Sequence, residues 1–210
     1  MVTSGLLILA TATLVLAAPI EQPVRRGNLP MPVDVATAKS YLNDIAVAEP
    51  SNSPAYERRY FHTWDTIEGN CNAREYVLKR DGSNVVVNNA CTATSGTWFS
   101  DYDGVTWTSE TKLQIDHLVP LKEAWESGAK DWTASQREAF ANDVTRPQLI
   151  AVTGSVNESK GDRDIANWLP SREAFVCEYV RAWITVKHYY KLNMDSAEKQ
   201  AALNVLNNKC

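Results

Sequence analysis

What this 210-residue sequence lacks narrows its class before any motif is read. It has no C-x-x-C pair, which excludes a structural zinc site built on paired cysteines. It has no apolar run long enough to cross a bilayer. The longest, Leu6 to Ala18, is about 13 residues, against the roughly 20 that a spanning helix needs. It also lacks positive charge: 21 Lys and Arg stand against 25 Asp and Glu, for a net charge of −4. That balance argues against an extended basic nucleic-acid surface, while leaving room for a small basic cleft. No internal repeat and no change of composition marks a second domain. What is present is ordinary for a globular chain, 44% apolar and 22% charged. A chain of this length can bury a core without a metal to hold it.

The apolar run ends in small residues, Val15-Leu16-Ala17-Ala18, and is followed by Pro19 and polar sequence. This predicts a secretory signal peptide over residues 1–18 and an extracellular protein, with a membrane anchor as the alternative that the short length disfavours. Arg25-Arg26 is either a processing site or a pair of solvated charges. Four cysteines follow the signal, and in an oxidising compartment they predict two disulfides. Of the three possible pairings, Cys71–Cys91 and Cys177–Cys210 are favoured because each closes a local segment.

Residues 19–55 read as an N-terminal extension with one helix, Val35 to Val47, capped by Asp34, and residues 56–210 as the main domain. Helices are expected over Cys71 to Arg80, Leu121 to Ser127, Ser135 to Asn142, Arg172 to Lys191, and from Asp195 to Asn207. In the last, Asp195 and Glu198 form a capping-box pattern. Strands are expected over Asn84 to Asn88, on either side of Asp101-Tyr102-Asp103-Gly104, over Lys112 to His117 and over Gln148 to Val152, with Thr153-Gly154 as a turn. The fold class is α+β.

The chemistry concentrates from Gln114 onward. A strand carries Asp116-His117, a long insertion follows, then a second strand, a turn, and Asn157-Glu158-Ser159-Lys160-Gly161-Asp162. Carboxylate and carboxamide oxygens are hard ligands that suit Mg²⁺ or Mn²⁺ better than zinc. The imidazole is then free to act as a base near neutral pH. Phosphodiester hydrolysis needs these parts, because an attacking water must lose a proton while negative charge builds on the phosphoryl oxygens.

Three segments, Asp116-His117-Leu118-Val119-Pro120, Pro147-Gln148-Leu149-Ile150-Ala151-Val152 and Asn157 to Asp162, resemble those of an HNH endonuclease. The likeness is to secreted HNH proteins related to the C-terminal domain of GmrSD-type restriction enzymes. It extends to Cys71-Asn72-Ala73-Arg74-Glu75-Tyr76-Val77-Leu78, to Asp101-Tyr102-Asp103-Gly104 and to Glu123-Ala124-Trp125 through Trp168-Leu169-Pro170, over roughly residues 60–210. The resemblance implies a ββα-metal (His-Me finger) core embedded in additional helices. It implies His117 as general base, Asp116 and Asn157 as metal ligands, Lys160 as a catalytic contact to the phosphate or the transition state, and Arg74 as a second phosphate contact. Gln148 stands where the family's asparagine orients the loop around the base. The Asp-His…Asn pattern is similar to that of CRISPR effector HNH domains and points to Mg²⁺. The implied partner is nucleic acid, DNA with RNA as the alternative, cut with little sequence preference by a monomer, with no membrane association after signal cleavage.

Two other functions stay open: a secreted binding or effector protein that keeps the fold without activity, and a glycan hydrolase using Asp101, Asp103 or Asp116. Asn157-Glu158-Ser159 is also the one N-x-S/T sequon, so a glycan there would collide with the metal-ligand role.

Overall fold

The computed structural model describes Met1 and residues 29–210. The signal peptide and Arg25-Arg26 lie outside the described residues. Helix α1 (Val35–Asp44) starts at Asp34, whose carboxylate accepts from Thr37 N at 2.9 Å. The short pair β1 (Thr66–Glu68) and β2 (Cys71–Asn72) leads into α2 (Ala73–Asp81), with Asn72 and Glu75 closing a capping box. An antiparallel sheet follows in the order β3 (Gly82–Val87), β4 (Ala93–Phe99), β5 (Thr106–Trp107).

Next comes the arrangement that positions the site. Strand β6 (Leu113–His117) is followed by α3 (Leu121–Glu126) and α4 (Ala134–Ala141) before β7 (Leu149–Thr153) returns antiparallel to β6. Helix α5 (Gly154–Lys160) begins at once, with no intervening turn. A Cβ on Gly154 would lie 3.4 Å from both the Gln114 side chain and the Lys112 carbonyl, so the smallest residue lets the helix start against β6. Helices α6 (Glu173–Tyr190) and α7 (Ser196–Asn208) complete the α+β fold. Disulfides join Cys71 to Cys91 and Cys177 to Cys210.

The β6–β7 pair divides two cores. Successive side chains of a strand point to opposite faces. Leu113, Ile115, Leu149 and Ala151 pack with Val77 and Leu78 of α2 and with Trp98, while Ile150 and Val152 join the helical core of α1, α3, α4, α6 and α7. Burial on both faces explains why β7 reads as a continuous apolar run. Its outer edge is closed by the end of α2: Ala151 N donates to Asp81 Oδ2 at 2.9 Å, and Arg80 donates to the Leu149 carbonyl at 2.5 Å. Helix α1, although in the N-terminal extension, packs into the helical core through Ala38 and Leu42.

Asp195 caps α7 by accepting from Glu198 N at 2.8 Å, but the Glu198 carboxylate does not turn back to the cap. It lies buried between Trp183 and Lys187, whose Nζ also reaches Glu123 at 2.6 Å, Ser127 at 3.1 Å and the Asn193 carbonyl at 2.9 Å. Burial works against the Lys187 charge, yet Glu198 and Glu123 outweigh it and hold the amine above its ordinary value. Burial raises Glu198 to about 7, against the opposing pull of Lys187. One cation facing two carboxylates therefore favours proton uptake. With the folded value above the unfolded one, the stabilising contribution is full below the unfolded Glu value and is lost as pH rises toward about 7. Thermal unfolding across pH 4.5 to 7 should show stability declining over that window, and Glu198→Gln should flatten the decline. An unchanged slope in the variant would remove this network as its cause.

Candidate active site

Asp116 and His117 are adjacent, so they project to opposite faces of the β6–β7 pair: Asp116 pairs with Ile150 and His117 with Leu149. Both line an open cavity of about 320 Å³, together with Arg58, Gln114, Asn157 and Asp162.

The His117 ring is buried. Its Nε2 lies 2.8 Å from the Ala141 carbonyl at the end of α4. A carbonyl only accepts, so Nε2 carries the proton and Nδ1 is the free lone pair. Among the described residues Nδ1 has no hydrogen-bond partner. Burial pushes the imidazole down to about 3, helped by the charges of Arg58 and Lys160 and opposed by the Ala141 contact. The ring is thus neutral at any physiological pH. Trp64 is half-buried beside it, with ring centroids 5.8 Å apart. Its backbone is left-handed, φ 69°, a conformation that costs a bulky residue on the order of 1–3 kcal/mol. The next residue holds it there: Asp65 N donates to Asn142 Oδ1 at 2.9 Å.

Gln148 is fully buried and grips Val119 from both sides, accepting from its N–H at 3.1 Å and donating to its carbonyl at 2.8 Å. The Gln148 carbonyl also accepts from Leu118 N at 2.7 Å. The loop that follows His117 is therefore fixed by the residue preceding β7.

Asn157 sits within α5, and its Nδ2 donates to Gln114 Oε1 at 2.8 Å. Gln114 Nε2 in turn donates to Glu158 Oε1 at 2.8 Å. The carboxylate at the end of this chain can only accept, which orients both amides and leaves Asn157 Oδ1 as the uncommitted atom. That oxygen and the Asp116 carboxylate form an all-oxygen donor set on one cavity, a fit to a hard divalent cation. Sequence reading missed Gln114; its place three residues before His117 on the same strand was the only signal.

Lys160 and Arg74 do not line this cavity. Lys160 has no exposed surface; its Nζ donates to Asp116 Oδ1 at 2.9 Å and to the His117 carbonyl at 3.0 Å. The last turn of α5 carries it under the hairpin, so it braces the site and does not reach a phosphate. Tyr102 donates to the second Asp116 oxygen at 2.5 Å. Burial raises Asp116 and lowers Lys160, and each partner's charge opposes the other's shift. Arg74 pairs with Glu110 at 3.3 Å on α2. Arg58, which the sequence reading did not single out, is the cation on the cavity wall.

A second group of ligand-type atoms, on His62, Asp65 and Glu138, lies within 4.8 Å of one another but away from the cavity lining. His62 Nδ1 and Asp65 Oδ1 lie within hydrogen-bond distance there, 2.6 Å apart.

Lys160→Met should leave Asp116 buried without its cation, at a cost of about 3–5 kcal/mol. Denaturant unfolding measures this directly, and a variant as stable as the parent would show that the bracing role is absent.

Residues 58–205 match the family described as GmrSD restriction endonucleases, C-terminal domain. An uncharacterized secreted protein of Arthroderma benhamiae is 48% identical over 201 residues, covering 96% of this chain and 97% of the relative. No solved structure matches the chain. Among the described residues no helix is long and apolar enough to cross a membrane. The secreted relative and the two disulfides agree with an extracellular protein. With more than two thirds of its length inside that match, the chain belongs to the family of GmrSD restriction endonuclease C-terminal domains.

Proposed function

We propose that the protein is a secreted, metal-dependent endonuclease that hydrolyses phosphodiester bonds of DNA with low sequence specificity, with RNA as a second substrate to be tested. Strands β6 and β7 with α5 are its ββα-metal, HNH-type core. The observation that carries this reading is the commitment of His117 Nε2 to the Ala141 carbonyl, which leaves Nδ1 as the free nitrogen of a residue that lines one cavity with Asp116 and Asn157.

In this reading Asp116 and Asn157 Oδ1 hold a divalent cation, Mg²⁺ first and Mn²⁺ second. When bound, the ion offsets the charge that builds on the phosphoryl and leaving oxygens. His117 Nδ1 removes the proton from the attacking water. Gln148 keeps the adjoining loop still, and Lys160 with Tyr102 keeps the Asp116 carboxylate in place. The family to which the chain belongs supports a nucleic-acid substrate. The absence of any base-reading module in the sequence supports low specificity, and the expected ends are 5′-phosphate and 3′-hydroxyl. The pairing of Asp116 with Lys160 favours one competing reading, a binding protein that keeps the fold without activity.

The test uses the whole secreted protein on plasmid DNA with Mg²⁺, Mn²⁺ or EDTA. Nicking should require metal and fall by about 10²–10⁴-fold in His117→Ala, the range of general-base contributions. A wild type that cuts with neither metal sinks this proposal and leaves the binding-protein reading in front. The sequon provides a separate check. Glycan transfer would use Asn157 Nδ2, the nitrogen already bonded to Gln114. Mass spectrometry should find Asn157 unmodified in the active fraction, and an active glycoform would remove Asn157 from the ligand set.

A further inference from the structure

We infer that Arg58 is the residue that binds the substrate phosphate, and that the segment from Pro54 to Phe61 is therefore part of the active site although it precedes the ββα core. This rests on the hydrolase reading above.

Phosphoryl chemistry calls for a cation at the anion as well as a metal. The core's own lysine cannot supply it. Lys160 is wholly buried, and its Nζ is held by Asp116 and the His117 carbonyl. Arg74 is tied to Glu110 on α2, and Arg163 donates its Nε to the Lys160 carbonyl, away from the cavity wall. Arg58 does line that wall, with Asp116, His117 and Asn157. The other charged groups there, Asp116, Glu158 and Asp162, are all acidic. Arg58 is exposed, and among the described residues it forms no ion pair. Its neighbour Arg59, by contrast, is held by Glu57 at 3.0 Å. An exposed guanidinium without an acidic partner, over a cavity otherwise lined with carboxylates, is fitted to an incoming anion.

The backbone that carries Arg58 is fastened. Trp125 Nε1 donates to the Pro54 carbonyl at 2.8 Å, and the Tyr60 ring stacks on Trp125 with centroids 4.9 Å apart. Arg137 Nε donates to the Tyr60 carbonyl at 3.0 Å, and Phe61 is buried. Arg58 lies on the 3-10 turn Arg58–Tyr60 between these anchors, so its position is set before substrate arrives.

The experiment compares wild type, Arg58→Ala, Arg58→Lys and Arg59→Ala as full-length secreted proteins. Anisotropy of a fluorescent oligonucleotide in EDTA reads binding without cutting, over a range of salt. Plasmid and oligonucleotide cleavage in Mn²⁺ reads kcat/KM, and thermal unfolding checks the fold. Arg58→Ala should lose about 10–100-fold in both, the loss expected of one charge-assisted contact. The slope of log affinity against log salt should fall by about 0.7–0.9, one phosphate's share. Arg58→Lys should keep the slope and recover part of the rate, and Arg59→Ala should match wild type. Arg58→Ala behaving like Arg59→Ala in binding, slope and rate overturns the inference. A wild type that binds but cuts with no metal overturns the hydrolase reading instead, and the salt slopes then decide Arg58 alone. A wild type that neither binds nor cuts overturns both.

Discussion

A lysine ammonium without exposed surface has to find acceptors inside the protein, and Lys160 finds two that belong to one strand: the Asp116 carboxylate and the His117 carbonyl. That single group ties the end of α5 to the end of β6. Its consequences run outward from there. The Asp116 carboxyl can occupy a buried position because the Lys160 amine and the Tyr102 hydroxyl satisfy its two oxygens. The His117 backbone is held, so the ring has a fixed origin from which to reach Ala141. Asn157, three residues earlier on the same helix, shares the Lys160 face and is brought to the cavity that Asp116 lines. A buried ion pair of this kind adds little net stability compared with an apolar replacement of both partners, but it fixes one arrangement of three elements.

The second constraint is strand register. Residues of the β6–β7 pair alternate between two separate cores, and both faces are buried. A slip of one residue would send Ile115 and Leu149 to the wrong core and exchange the directions of Asp116 and His117. The apolar cores on either side therefore select the register, and the register delivers a carboxylate to one face and an imidazole to the other. Gln148 extends this control past the strand end by holding Val119 through both of its backbone groups. The glutamine side chain, longer than the family's asparagine, makes two contacts of ordinary length in this position.

Sequence alone made much of this legible, and what it missed has a common cause. Helix starts at Asp34 and Asp195 were readable because a cap is a local bond between residues three apart. The β6 and β7 segments were readable from their apolar patterning. The gathering of Asp116, His117 and Asn157 on one cavity followed from their order along the chain. The role of Lys160 did not, because α5 is seven residues of mostly polar side chains and has no apolar stripe to say which side is buried. Gln114, Tyr102, Ala141 and Arg58 were missed for a related reason. Their contacts with the site join residues far apart in sequence, and nothing local marks a backbone carbonyl or an arginine without an acidic partner as part of a site. The Glu198 pattern shows the converse error, in which a local capping motif is overridden by a buried lysine on the neighbouring helix.

Net charge sets the last condition on how such a site can act on a polyanion. At −4 the chain offers no long-range field to draw nucleic acid in, and the cavity itself carries three carboxylates. Two local features offset part of that negative charge. Lys160 cancels the Asp116 charge from beneath, and Arg58 faces the cavity from a turn anchored on Trp125. Attraction to a phosphate then depends on a small number of short contacts, which a salt atmosphere screens less than a diffuse surface charge. With the phosphate role proposed for Arg58, binding is expected to be weak in its sequence-independent part and shallow in its salt dependence. Those properties suit an extracellular protein, which meets its substrate in a medium whose ionic strength the cell does not control.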